Sequence, residues 1–320
     1  MDNLCHTLAG AALAEAGLRR RTALAYATCL IGANLPDVDA LAYLRDPLFA
    51  LSFRRGWTHG ALAMVALPVA LGLGVVAWDR LVRRNPAAPA DLRGLVLVAG
   101  AALLSHPLLD LLNTYGVRLL MPFSGRWFHA DALFIIDPFL WAVFAIGVAV
   151  AAWRRAHRAD AHDAERPARI AIAVAVAYIG LMAGSSVAAR SIVRREAGEA
   201  GIQPVGEVLV SPLLLDPLHR SVVLTTSGGY RRGTFGWIGK PHLSLEPGLI
   251  PRGLDDPLAA EAAHSPAGTV FLGWARFPAA VIRPTDPPVV RLYDLRYAGP
   301  AGGWAAVDIK EGQTPVTNRR

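Results

Sequence analysis

His106-Pro-Leu-Leu-Asp110 lies inside an apolar stretch, Leu95 to Leu112, and this placement constrains the fold more than any other feature. Residues spaced i, i+4 on a helix share one face. An ionised aspartate in a membrane or deep core costs several kcal/mol unless something pairs with it. Three further His/Asp clusters flank apolar segments in the same half of the chain: His6, Asp37-Val-Asp39 and His59. Together they predict one metal site assembled from several helices.

Composition sets the environment. Hydrophobic residues make up 53% of the 320, charged residues only 18%, and mean hydropathy is +0.36. That is too apolar for an ordinary soluble enzyme and fits a membrane protein with a soluble part. The net charge of +7 sits in short clusters between apolar runs. No basic face with interleaved aromatics is present, so no nucleic-acid partner is expected. Two cysteines, Cys5 and Cys29, imply no disulfide framework. The opening, Met1 to His6, lacks a basic n-region, and no cleavable signal peptide is expected.

Four runs approach the ~20 residues that cross a bilayer: Ala61–Trp78, Gly94–Leu112, Phe134–Trp153 and Ile170–Ala189. Two shorter helical runs, Leu4–Leu18 and Thr22–Leu35, precede them, split by a tight turn at Arg19-Arg20-Arg21. His157–Arg169 reads as a polar connector. With the His/Asp clusters on one side, the opposite loops carry twelve arginines against five. The positive-inside rule then directs the clusters, and the chain after the last span, to periplasm or exterior. Beyond Gly201 the character changes: fourteen of 23 prolines and half of 30 glycines lie in 201–320. Strand-like runs appear at Val205–Val210, Ser221–Thr226, Tyr230–Ile238, Thr269–Ala275, Val289–Tyr297 and Trp304–Lys310. The expected fold is an α-helical integral membrane bundle (1–195) carrying the metal site, followed by a small C-terminal β-rich domain (200–320).

Each candidate has a plainer reading beside the chemical one. Pro36 ends the second helix, so Asp37 and Asp39 fall in a turn, as turn aspartates or as ligands. Thr58 can cap the next span, leaving free N–H groups for an anion and His59 at the membrane edge. Arg54 and Trp57 suit interfacial anchoring, and Arg55 suits a phosphate or carboxylate. His106 and Asp110 are ligands or a buried ion pair, with Asn113 on the same face positioned to orient a ligand. Asp137-Pro138 is a helix-start signal. His129 and Asp131 are acid/base candidates. The metal set is therefore His6, Asp37, Asp39, His59, His106 and Asp110; the catalytic set is Asp39, Arg55, His129 and Asp131. Mixed His and carboxylate donors suit Zn²⁺ best, as one ion or two.

At these residues the chain resembles the bacterial membrane-bound metal-dependent hydrolases, the YdjM-like family. The stretches that carry the likeness are Asp2–Gly10, Asn34-Leu-Pro-Asp-Val-Asp39, Arg55-Gly-Trp-Thr-His59, His106 to Gly116, and Met121-Pro-Phe123 to Asp137-Pro138. A looser match runs through Trp274-Ala-Arg-Phe-Pro278 and Asp294-Leu-Arg-Tyr297. The resemblance implies a membrane hydrolase with a metal site. The order His, Asp, His, then His-x-x-x-Asp is also similar to the all-helical zinc phospholipase C fold. That analogy makes His6, Asp37, His59, His106 and Asp110 the ligands, although a later His-x-x-x-Glu pair is missing.

The function expected is hydrolysis of a phosphoester or lipid at the membrane surface, with the bilayer and a small-molecule or lipid substrate as partners. Two other classes draw on the same residues: a metal or proton transporter, and a non-catalytic membrane anchor. Intramembrane ionisable groups mark ion pathways too. Location separates them, because His6, Asp37, Asp39 and His59 all lie at helix ends, which favours an enzyme at the membrane edge.

Overall fold

A computed structural model describes residues 1–310 except 86, 158–159 and 204. Two compact units emerge: Met1–Asp39 with Arg55–Ser185, and Ala40–Arg54 with Ser186–Arg320. The units divide inside a long helix, and the second takes in the short segment Ala40–Arg54.

The first unit is helical. Asp2 starts α1 (Asn3–Glu15) by accepting from the Leu4 and Cys5 N–H groups. A 3-10 turn, Leu18–Arg20, leads to α2 (Ala25–Asn34). Gly10 makes the α1–α2 contact possible: a Cβ there would stand 2.8 Å from both the Ala33 Cβ and the Cys29 carbonyl oxygen. Cys5 and Cys29 are free and buried, and burial pushes each thiol up to about 12.

Among the described residues four helices are long and apolar enough to cross a membrane: Ala61–Arg83, Leu92–Leu111, Pro138–Ala156 and Ala161–Glu199. The first is α4 (Ala61–Trp78) extended by a π turn. The others are α5 (Leu92–Leu111), α6 (Pro138–Ala156) and α7 (Ala161–Glu199), α3 (Pro47–Phe53) being a short helix of the second unit. Asp137 caps α6 through the Leu140 N–H, as the Asp-Pro pair implies. The expected polar connector 157–169 is instead largely the first turns of α7. One of its three acidic residues shows why: Glu165 is held by Arg20 at 2.6 Å and Arg169 at 2.5 Å, while Ala164 and Ala168 are buried. Polarity there marks a helix face rather than a loop.

The same end of the bundle gathers a second knot, in which Glu15 accepts from Arg19 at 2.9 Å and from Arg155. The α1–α2 pair therefore runs alongside the spans from the His/Asp end to the arginine end. It does so although neither helix is long enough to count as a span.

In the second unit the end of α7 packs Ala189, Val193 and Ala197 against Val208, Val222 and Phe235 of a four-stranded antiparallel sheet. Its order is β1 (Val208–Leu213), β2 (Asp216–Thr226), β3 (Gly229–Gly236), β4 (His242–Leu245). A three-stranded antiparallel sheet joins β5 (Pro278–Arg283), β6 (Val289–Asp294) and β7 (Ala306–Lys310). The strand expected at Thr269–Ala275 is a helix instead, α9 (Pro266–Leu272), preceded by α8 (Pro257–His264). Capping decides this: Ser265 accepts from the Gly268 N–H and Asp256 from the Leu258 N–H, each followed by proline at the first helical position. The two C-terminal stretches of the family likeness meet here. Asp294 accepts from the Arg276 backbone at 2.7 Å and pairs with Arg296 at 3.0 Å, and Trp274 stacks on Tyr297.

Candidate metal centre

Asp37, His59, His106 and Asp110 each offer one donor atom, and all four atoms lie within 4.8 Å of one another. Three separate chain segments deliver them. Asp37 sits on the 3-10 segment Leu35–Leu44 that follows α2, just after the helix-ending Pro36. His59 precedes α4 in a tight turn closed by Gly60 N–H to Gly56 carbonyl, 2.7 Å. His106 and Asp110 come from one face of α5. Three of the four are fully buried, and Asp37 is nearly so.

The ring orientations follow from their outer partners. His106 Nδ1 stands 2.6 Å from the Ala33 carbonyl, which can only accept, so Nδ1 carries the proton and Nε2 turns its lone pair to the cluster. Asp39 Oδ2 takes the Arg55 backbone N–H at 2.8 Å and the Thr58 hydroxyl at 2.9 Å. It also stands 3.3 Å from His59 Nδ1, and Thr58 Oγ is 2.9 Å from the same nitrogen. His59 Nε2 is thereby aimed inward.

Donor separations fit one small cation. The Nε2 atoms of His59 and His106 are 3.1 Å apart, and each stands 3.3–3.5 Å from Asp110 Oδ2. Asp37 Oδ1 is 4.0 Å from His59 and 3.7 Å from His106. Tetrahedral ligands at zinc distances are about 3.3 Å apart. Asp110 Oδ2 is buried and receives no hydrogen bond of acceptable geometry. Its surroundings are the two imidazole nitrogens, an arrangement that a cation completes.

Electrostatics support the same fit. Burial alone would raise Asp37, but with no cation bound the hydrogen bond and charge of a protonated His106 outweigh it and hold the carboxyl at about 2; a cation would take that place once Nε2 turns its lone pair to the cluster. Asp39 is likewise raised by burial and lowered further by His59, Arg55 and Thr58, with a net lowering. Burial pushes His6 down to about 4 against the pull of Asp110, so its ring is neutral. Asp37 and Asp39, both ionised, thus share a buried volume with Asp110, the Arg55 guanidinium and the Met1 amino group.

The remaining predicted residues fall around this quartet. His6 stacks on His106 at 3.7 Å, with Nε2 3.4 Å from Asp110 Oδ1. Asp39 lies outside the quartet, behind His59. Arg55 Nη2 reaches Asp110 at 3.1 Å, and Nη1 reaches Asn113 at 3.3 Å. Asn113 accepts that contact and the Tyr115 N–H, so it orients Arg55 rather than a ring. His129 packs on Gly116, where any Cβ would approach its Nε2 to 2.4 Å. Asp131 is buried on the segment whose Ala130 and Ala132 N–H groups bond the Leu111 and Leu112 carbonyls. Neither joins the quartet. Thr58 does not cap α4 as expected, because Asp39 takes its hydroxyl; Gly60 is the cap residue, and the Ala61 N–H is bound by the Leu119 carbonyl. That helix end is closed to an anion at this position.

Two neighbours of the cluster carry no signature in the sequence. The Met1 amino group donates to Asp110, and no side-chain pattern announces a backbone amine. Arg118, whose N–H bonds the Arg55 carbonyl at 2.7 Å and whose guanidinium lies over Trp127, has no spacing relation to any ligand.

The fold and site define a membrane-embedded helical bundle with a buried His/Asp cluster at one end. The YdjM inner membrane protein family matches residues 1–189, and the chain belongs to it. An uncharacterized protein of Bacillus subtilis (strain 168), YfhP, is 27% identical over 121 residues, which cover 38% of this chain. The match spans 35% of that relative's length. No solved structure matches the chain. The likeness to zinc phospholipase C therefore rests on residue order alone.

Proposed function

We propose that this protein is a membrane-bound metal-dependent hydrolase that acts on a phosphoester at the membrane surface. One observation carries the reading: four donor atoms from Asp37, His59, His106 and Asp110 converge within 4.8 Å in a buried site. A single divalent ion, zinc by donor chemistry, would be held by these four residues. Such an ion supplies Lewis-acid polarisation of a substrate oxygen. The chain's own groups do the rest. Asp39 and the Ala33 carbonyl fix the two imidazoles. Arg55 pairs with Asp110 at 3.1 Å and adds positive charge where substrate oxyanions would gather. His129 and Asp131, laid over the C-terminal end of α5, are the proposed proton donors or acceptors.

Trp57, Leu120 and Phe123 are exposed at the His/Asp end of the bundle. Such a rim suits the headgroup region and supports a substrate met at the membrane surface. The arginine excess at the opposite end supports an orientation with that end in the cytoplasm and the metal centre outside. The test is turnover of generic phosphoesters by the purified, zinc-loaded protein. Asp37→Asn should abolish it, and zinc-loaded protein with no turnover on any phosphomono- or diester would reject the hydrolase reading.

A further inference from the structure

A second site lies at the other end of the bundle. Between α6 and α7 runs a groove of about 620 Å³. Val143, Ile146 and Val150 of α6 and Ile170 and Val174 of α7 form its apolar walls. Its floor is the close approach of Gly147 to Ala171, where a Cβ on Gly147 would stand 2.3 Å from that of Ala171. Most of the wall residues are exposed, so the groove opens sideways along the spans.

Two guanidinium groups, Arg154 and Arg166, border one end. Arg154 lies in the last turn of α6 and Arg166 near the start of α7, at one membrane edge. The buried acids nearby are already engaged: Glu15 by Arg19 and Arg155, Glu165 by Arg20 and Arg169; of the exposed pair, Asp160 accepts the Asp163 N–H and Asp163 forms no ion pair among the described residues. Among the described residues Arg154 and Arg166 form no ion pair; Arg154 donates only to the Asp163 backbone carbonyl, at 3.3 Å. Two carboxylates thus face four arginines, and two more arginines stand over an apolar groove. From Val143 to Arg154 the helix rises about 16 Å, close to one leaflet of a ~30 Å hydrocarbon core.

We infer that the α6–α7 groove binds one anionic phospholipid, an acyl chain along its apolar walls and the phosphate between Arg154 and Arg166. A zwitterionic lipid fits the walls equally but brings a choline ammonium to two unneutralised guanidiniums. A free phosphate meets the arginines but leaves the walls empty. The groove and the charges select for the combination.

The experiment is native mass spectrometry of the full chain in detergent. It is titrated with dioleoyl phosphatidylglycerol, with dioleoyl phosphatidylcholine, and with inorganic phosphate. Each arginine near a lipid surface contributes about a fivefold preference, so the pair should favour the glycerol lipid by roughly 25-fold. Arg154→Gln with Arg166→Gln should bring the two lipids to near-equal binding. Ile146→Trp, which fills the groove from its exposed wall without changing charge, should weaken both lipids alike. Arg93→Gln, in the first turn of α5, should change nothing. Equal binding of the two lipids by the native protein would overturn the inference. So would full displacement of lipid by phosphate, an unaffected Ile146→Trp variant, or an equal loss in Arg93→Gln, which would mean diffuse charge.

Discussion

The Nε2 atoms of His59 and His106 face each other across 3.1 Å, from residues 47 apart in the chain. The Ala33 carbonyl keeps the His106 proton on Nδ1, and Asp39 with Thr58 does the same for His59. Two lone pairs therefore converge on one point. They repel unless a cation lies between them, and Asp110 Oδ2 faces the same point. His59→Ala or His106→Ala should therefore weaken zinc binding by more than the ~100-fold typical of losing a supporting residue. Metal titration of the purified variants reads this directly. Native affinity in both would mean that the convergence has another cause.

Asp39 separates positioning from ligation. Its carboxylate touches the far nitrogen of His59 and the Arg55 and Thr58 donors, not the quartet's interior. Asp39→Asn should keep zinc stoichiometry and weaken affinity about 10- to 100-fold, the usual cost of losing a carboxylate behind a ligating histidine. Loss of stoichiometry itself would instead make Asp39 a ligand.

Much of this site was legible because its chemistry conflicts with its surroundings. A histidine and an aspartate four apart in an apolar run need partners, and few candidates exist. Orientation was less legible. Whether Asp39 or Asp37 faces the ion depends on one peptide's direction after Pro36, which no pattern reports. Thr58 looked like a cap because sequence shows what precedes a helix, not that Asp39 competes for the hydroxyl. In the β region the β-branched Thr269 and Val270 suggested a strand. The Ser265-Pro266 start was the stronger local signal, since a capped proline start fixes the first turn.

Gly10 links helix packing to the metal centre. A methyl there meets the Cys29 carbonyl and the Ala33 Cβ at 2.8 Å, and the Ala33 carbonyl fixes the His106 ring. Gly10→Ala should destabilise the protein by about 1–3 kcal/mol, as overpacking does, and also weaken zinc binding. Gly100→Ala, on α5 with nothing within 4 Å of its added methyl, is the control. It should be neutral or slightly stabilising through helix propensity. Thermal unfolding and metal titration of both variants check the pair.

The orientation proposal predicts reporter signals. A fusion within Arg83–Ala90 should read cytoplasmic, and one at the C-terminus should read outside, given the arginines collected around Glu15 and Glu165. The reverse pair of readings would turn the metal centre inward and remove the surface-facing substrate.

Asp110 distinguishes a metal site from a buried ion-pair network. It contacts Arg55, the Met1 amino group, His6, His59 and His106 at once. If that network only joins helices, Asp110→Asn leaves Arg55 buried without its carboxylate and should cost about 3–5 kcal/mol, the usual penalty for breaking a buried pair. If the carboxylate is a ligand, Asn keeps the shape and removes the charge that a cation needs. Bound zinc should then fall below one equivalent, and the native protein should be stabilised by added zinc in a concentration-dependent way. The variant should not respond to zinc. Measured without metal, native protein and variant then differ by the ion-pair term alone; measured with zinc, they differ by that term plus the binding energy. A gap in thermal stability that does not widen with zinc would assign Asp110 to helix packing and leave the cluster without its central donor.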